Sequence, residues 1–456
     1  MIRNNLSCNQ SDSRFQPKED RRKTAAGAAG ASGSTSGSAP HGQVRLRPMP
    51  FPYSAALSIC SDIDDCDRRT FLELHRFINH PGDGLGLPVA DSFFAVGQTP
   101  GQLAYFLPDG RSPGPDAALI IEAVRAGLID SLHSWGDFNH NPPNPAALRD
   151  SAQRLTDMFA RNGLSLKTWI NHGDPNNRQN LKARLQPGYA GDNPASPFFT
   201  LDLIRVLGIQ YYWWSELVDW PLSGRRPPKT MRVAIQPHIN LMKNLMKNIV
   251  GRRRLTRTTA QINELCQPAR LTDGTLLMAF TRHLRRFKEP STRHTLRYAL
   301  ASRVLDELMA EQGYLILYTH LGMPRFADGA LLPEADLAAL RHLADLHRRG
   351  KIWVAPTTQL LDYWMVTKYL DWQAFREEDR LVVELGPIRD PVTGTRNLDR
   401  SETAGLCFDV PAGQEVFFRI AGQDLAPRVF EDDRSGLRVV GFDPPAPPET
   451  DFLRQF

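Results

Sequence analysis

The stretch Ala55-Ala56-Leu57-Ser58-Ile59-Cys60-Ser61-Asp62-Ile63-Asp64-Asp65 decides how this chain is read. Leu57, Ile59 and Ile63 read as strand, where side chains two apart share one face. Asp62 and Asp64 therefore point the same way from the end of a buried element. Two like charges held together are costly unless a metal, a cation or a proton lies between them. The bland alternative is a strand that runs into a solvated turn, and the rest of the chain has to weigh the two.

Outward from this stretch, short apolar segments recur: Ser92–Val96, Ile129–His133, Ser165–Asn171, Ile209–Trp214, Tyr314–His320 and Ile352–Pro356. Helix-like stretches such as Pro115–Ala126, Pro145–Asn162 and Thr295–Gln312 lie between several of them. Strand–helix alternation implies a mostly parallel sheet covered by helices, and about seven such strands suggest a barrel. From about Asp371 the helical period is lost and short strands with turn residues take over, which predicts a small antiparallel β-domain over 371–456. Residues 1–45 are polar and then rich in Ala, Gly, Ser and Thr. Too little apolar area is available there to offset ordering entropy, so a disordered tail is expected. The barrel is expected over 46–370, with a basic helical insertion at about 221–300.

The 456 residues, 41% of them apolar, fit a soluble globular protein of one large barrel and an appendage. No apolar run approaches the roughly 20 residues needed to span a bilayer, and the N-terminal residues lack the apolar stretch of a signal peptide. Five scattered cysteines without a Cys-x-x-Cys pair argue against a disulfide framework or a cysteine zinc site, and a cytoplasmic location is expected. Residues 221–300 hold 17 Lys and Arg against only Glu264, Asp273 and Glu289. This is either a solvated helical face or a surface for an anionic partner: phosphate, uronic acid or a membrane headgroup. Nucleic acid is not expected, because no binding motif is present and few aromatics are interleaved. Arg282, Arg285, Arg286 and Lys288 recur at near-helical spacing and are the expected anion-binding residues of this segment.

The strands end in chemistry-bearing residues. The first closes on Asp62-Ile63-Asp64, the third on His133-Ser134-Trp135-Gly136-Asp137-Phe138-Asn139-His140, the fourth on Asn171-His172-Gly173-Asp174, and the strand from Tyr314 on His320. In parallel barrels the C-terminal strand ends converge on one mouth, where active sites are built. Strand-end histidines and carboxylates meeting there form a ligand set suited to a divalent metal such as zinc. Each residue also has a structural alternative: His140 as part of a proline-rich loop, Asp137 as a cap, His172 as a partner of its own turn, His320 as a satisfied core histidine. Trp135, Trp169, Trp213 and Trp214 are either sugar-stacking side chains at the mouth or barrel core.

Between about Phe51 and Tyr363 the order of these features resembles the polysaccharide deacetylase family, with Asp62-Ile63-Asp64, His133-Ser134, Tyr314–His320 and Ile352–Pro356 carrying the likeness. The resemblance implies a distorted (β/α)7 barrel that removes acetyl groups with one metal ion, zinc foremost and manganese or magnesium as alternatives. It implies Asp62 as the base and Asp64 and His133 as metal ligands. The family's second motif histidine would fall at position 137, where Asp137 stands, so Asp137 or His140 is expected to complete the set. The family's arginine motif is missing; Asn171-His172-Gly173 stands in its place. His320 is expected as the acid that protonates the leaving group. Asn171, His172, Trp135, Arg285 and Arg286 are expected to touch a carbohydrate substrate that is anionic, phosphate-linked or neutral, and contact with a membrane surface fits the basic segment. The rival reading is a degenerate barrel that binds glycan or scaffolds a partner without catalysis.

Overall fold

In the computed structural model the described residues are 44–139, 141–173, 175–183, 188–218, 220–223, 263–284, 296–323, 329–430 and 437–456. The tail over 1–43 and most of the basic segment, with His140, Arg285, Arg286 and Lys288, lie outside them. Seven parallel strands close a barrel: β1 (Ala55–Ser61), β2 (Ala90–Val96), β3 (Ile129–Leu132), β4 (Thr168–Ile170), β5 (Tyr211–Val218), β6 (Leu276–His283) and β7 (Tyr314–Thr319). They follow one another in chain order, and β7 returns to β1 with Tyr314 opposite Ala56 through Thr319 opposite Ser61. β1 meets β2 only at its C-terminal end, through Cys60 and Ser61. An eighth parallel strand, β8 (Ile352–Val354), takes the N-terminal half of that same edge.

Two expectations change here. Ile352–Pro356 is not one of the seven strands of the closed barrel but a wedge beside β1. The seventh is β6, within the segment expected to be a basic helical insertion. Its Leu276-Leu-Met-Ala-Phe280 run is buried or nearly so and pairs with β5. The regular alternation of one helix per strand is also not kept. Helices α1 (Arg68–Asn79), α2 (Ala117–Arg125), α3 (Pro145–Arg161), α4 (Leu201–Val206), α5 (Ser302–Ala310) and α6 (Glu334–Arg348) flank the barrel, but α4 is short. Between β5 and β6 the described residues supply a strand, Cys266–Arg270, antiparallel to β6.

Alternation along β1 explains the layers. Ala55, Leu57 and Ile59 pack with Leu74, Ile78, Leu305 and Leu343 of the covering helices. Ala56 and Cys60 pack with Tyr211, Met278, Phe280 and Ile316 inside the barrel. Asp62 continues the inward series. Helix α1 starts where the Asp67 side chain accepts the N–H of Thr70, and α3 where Asn144 caps and Pro145 opens the first turn. Helix α7 (Thr357–Tyr369) follows β8 and reaches the N-terminal ends of β1, β3, β4 and β5: Ser58 bonds Thr357, Asp130 and Thr168 bond Thr358, and Lys167 and Tyr211 bond Asp362.

Beyond α7 two small sheets form, but not as a separate antiparallel domain over 371–456. One sheet holds a parallel pair, Arg380–Asp390 with Glu415–Ile420. The other recruits Arg45–Leu46 from ahead of the barrel onto Cys407–Pro411. Their apolar residues Leu381, Val383, Phe408 and Phe418 share a core with Tyr314, Trp364 and other barrel residues. The last residues turn back to the helices: Glu449 N–H donates to Ala126, and Leu453 joins the core that holds Ile120 and Ala123. No described helix is long and apolar enough to cross a membrane.

Candidate metal centre

Three strand-end histidines meet one carboxylate at the C-terminal mouth. Asp64 Oδ1 lies 3.2 Å from His133 Nε2 and 3.5 Å from His172 Nδ1, and those two nitrogens are 2.9 Å apart. Its other oxygen, Oδ2, is 2.9 Å from His320 Nε2. An ion held tetrahedrally at about 2.0–2.1 Å spaces neighbouring ligand atoms by about 3.3 Å, close to all three edges of the Asp64–His133–His172 triangle. Asp64 Oδ1 is buried and has no hydrogen-bond partner among the described residues. A buried anionic oxygen without a donor is costly, whereas a cation shared with two imidazoles would satisfy it. This buried Asp–His–His group can hold a metal ion.

The same groups set one another's charge. Burial alone would raise the Asp64 carboxyl, but His133, His320 and His172 outweigh it and hold it well below the usual carboxylate range. Burial likewise opposes charge on His320, yet the bond to Asp64, helped by the Asp62 charge, raises it above an ordinary imidazole. For His172 burial is again outweighed, here by the bond to Asp137 and the charge of Asp64, and it too is raised. Phe94 packs against both rings, with centroids 4.8 Å from His133 and 5.2 Å from His172.

Asp62 stands beside this group, with Oδ2 3.8 Å from His133 Nε2. Both of its oxygens are engaged by Arg282, Nη1 at 2.6 Å and Nη2 at 3.1 Å, and both residues are buried. The guanidinium lies between two rings, 3.6 Å from the Trp213 centroid and 4.0 Å from that of Tyr318. Arg282 therefore does not belong to an exposed anion-binding face. It projects from β6 into the barrel, where a bidentate pair and two aromatic faces offset its desolvation.

The chain around the mouth is tightly turned. Ser134 follows His133 with a φ of 62°, a left-handed conformation uncommon outside glycine, and its Oγ accepts a bond from Gln179. At Gly136 a Cβ would lie 2.9 Å from the Val96 carbonyl, so a side chain would push the loop off β2. These turns carry Asp137 past the metal-binding group. It bonds the far nitrogen of His172, Oδ1 to Nε2 at 3.2 Å, instead of joining Asp64 as an expected ligand. His172, expected at the substrate, takes that position.

The remaining expected contacts divide. Asn171 is buried and pins its loop, accepting from Trp169 Nε1 and Leu181 N–H and donating to the Leu181 carbonyl. It still lines the cavity of ≈ 470 Å³ above the cluster, together with Asn139, Gly173, Pro175, Trp213 and Tyr318. Trp135 is wholly buried, with its indole N–H bonded to Thr200 and its ring against Trp169. It is barrel core, not a stacking surface, because the His133 turn folds inward. Trp213 is the tryptophan that reaches the cavity. His140, Arg285 and Arg286 lie outside the described residues. Tyr318 was not singled out from sequence, and Arg282 was expected only as an anion-binding residue of the basic segment; the apolar run Leu276–Phe280 just ahead of Thr281 and Arg282 is the signal that marks another strand end.

Neither a protein-family model nor a curated protein matches this chain.

Proposed function

We propose that this chain is a metal-dependent hydrolase that removes an acyl group, acetyl foremost, from a sugar or glycan. The observation that carries the reading is the orphaned Asp64 oxygen facing His133 Nε2 and His172 Nδ1 at a barrel mouth, with Asp62 and His320 on either side. The resemblance to polysaccharide deacetylases in Asp62-Ile63-Asp64, His133-Ser134 and Tyr314–His320 supports it. Two imidazoles and one carboxylate suit zinc, which when bound polarises a carbonyl and acidifies water. Asp62 would accept the proton of the attacking water. His320 would give a proton to the departing amine or hydroxyl as the carbonyl carbon–heteroatom bond breaks, leaving a free carboxylic acid and the deacylated sugar. Trp213 and Tyr318 would supply apolar faces beside the bound ring, and the amides of Asn139 and Asn171 its polar rim. The basic residues Arg285 and Arg286 would contact an anionic or phosphate-linked part of a larger substrate.

One observation favours a second reading, a glycan-binding barrel without turnover: Arg282 donates to both oxygens of Asp62, so an attacking water would have to compete with the guanidinium for that carboxylate. One experiment separates the two. Purified protein is assayed for bound metal and for acetate release from acetylated mono- and oligosaccharides, alongside Asp64→Ala and Asp62→Asn. Hydrolysis requires metal in the wild type, its loss in Asp64→Ala, and metal without turnover in Asp62→Asn. Metal and glycan binding with no acetate release from any substrate would favour the binding module. Absence of metal affinity would end both forms of the metal reading.

A further inference from the structure

His172 has two ring nitrogens with opposite surroundings. Nδ1 faces Asp64 and His133, whereas Nε2 is 3.2 Å from Asp137 Oδ1. An ionised carboxylate only accepts, so the hydrogen sits on Nε2, and in the neutral ring Nδ1 then carries the lone pair. Asp137 is itself held. Its Oδ1 accepts the Asn139 N–H at 3.3 Å, and its Oδ2 accepts from Gln102 Nε2 at 3.4 Å. Gln102 is turned by the Gln98 N–H, which bonds its Oε1 at 3.0 Å.

The backbone of His172 is held from the other side. Asn180, fully buried, accepts the His172 N–H at 3.2 Å and donates to the His172 carbonyl at 2.5 Å. Tyr189 Oη donates to the same carbonyl at 3.0 Å. The loop that presents Asn180 closes through Gly191, whose N–H bonds the Asn180 carbonyl; a Cβ there would lie 1.9 Å from the Gln179 carbonyl. Both backbone polar groups of one residue clamped by one buried amide is more than loop closure requires. It fixes where the ring starts, and Asp137 fixes which nitrogen it turns inward.

We propose that Asp137 and Asn180 are positioning residues that aim the His172 Nδ1 lone pair into the Asp64–His133 group, so that the residue just after β4 serves as ligand and the one on the β3 loop stands behind it. The proposal rests on the metal-centre reading. Carboxylates behind ligating histidines commonly contribute 10–100-fold in metal affinity.

The test measures zinc affinity by competition with a chromophoric chelator, and the visible absorption of the cobalt-loaded protein, for wild type, His133→Ala, Asp137→Asn, Asp137→Glu and Asn180→Ala. Asp137→Asn should bind one ion about 10–100-fold more weakly with the cobalt spectrum unchanged, and Asp137→Glu should recover part of the loss. Asn180→Ala should weaken binding similarly. If it does not fold, Asn180→Asp, which keeps the acceptor and loses the donor, carries the same expectation. Wild-type affinity in Asp137→Asn overturns the proposal. A cobalt spectrum altered as in His133→Ala overturns it differently, by making Asp137 a ligand. A wild-type protein that binds no ion removes the metal-centre reading and the proposal together.

Discussion

At the C-terminal end of the barrel Asp64 faces three histidines and keeps one oxygen without a donor; at the N-terminal end Asp130 and Asp362 have a donor on every carboxylate oxygen. Thr358 N–H and Ser131 Oγ serve Asp130, and Lys167 Nζ and Tyr211 Oη serve Asp362, at 2.8 to 3.1 Å. Cavity size does not separate the two ends, since the N-terminal one holds ≈ 490 Å³ and the mouth ≈ 470 Å³. Residue type separates them poorly too. What differs is satisfaction. The N-terminal network is complete in protein atoms and works as a latch between β3, β4, β5 and α7, whereas the mouth is left incomplete where a cation would finish it.

The largest expected effect tests how dry the mouth is. Arg282→Met leaves Asp62 buried without its guanidinium, and breaking a buried pair on one side typically costs about 3–5 kcal/mol. Denaturant unfolding should show that loss, with much of it recovered when Asp62→Leu is added, because the stranded charge is then gone. A cost under about 1 kcal/mol would mean that water reaches Asp62 freely and that the pair is a surface one.

Metal should stabilise one end of the barrel's chemistry only. With free zinc at about 100 times its dissociation constant, wild type should gain about 2.7 kcal/mol. Asp64→Ala should gain nothing. Lys167→Ala, which opens the half-exposed N-terminal ion pair, should lose roughly 0.5 kcal/mol or less and keep the whole gain. A thermal-shift series read at fixed zinc checks this. Equal loss of the zinc effect in both variants would erase the distinction drawn between the two ends.

Much of this contrast was legible in the residues themselves. The alternation of Leu57, Ile59 and Ile63 and the polar ends Asp62, His133, His172 and His320 place the mouth, because parallel strands leave their C-terminal ends together. β6 was obscured by its basic surroundings. The charges of Arg282, Arg285 and Arg286 read as one face, although Arg282 stands one residue beyond the apolar run Leu276–Phe280 and turns inward to Asp62. Which of Asp137 and His172 faces Asp64 and His133 was not legible at all. That depends on a left-handed turn at Ser134 and a close approach at Gly136, neither of which spacing reveals. Nor was the shared core of barrel and sheets, because the pairing of Arg45–Leu46 with Cys407–Pro411 joins segments far apart in the chain.

The smallest effect probes the N-terminal latch by pH. Burial pushes the Asp130 carboxyl up to about 6, even though the Thr358 N–H and the Ser131 hydroxyl favour its charge. A carboxyl raised on folding contributes stability below its unfolded value near 3.8 and loses it as pH rises through about 6. Wild type should therefore lose a small increment of stability across that window. Asp130→Asn keeps an acceptor for Thr358 N–H and does not titrate, so its difference from wild type should shift in its own favour between pH 4.5 and 7.5. Because Asp130 is partly exposed at the cavity, solvent screening reduces the effect to about 1 kcal/mol. Paired denaturant curves at the two pH values measure the change, with other titrating groups cancelling between the proteins. A difference that stays constant with pH would place Asp130 in water-like surroundings, and the N-terminal end would then be an open cleft held by α7 packing alone.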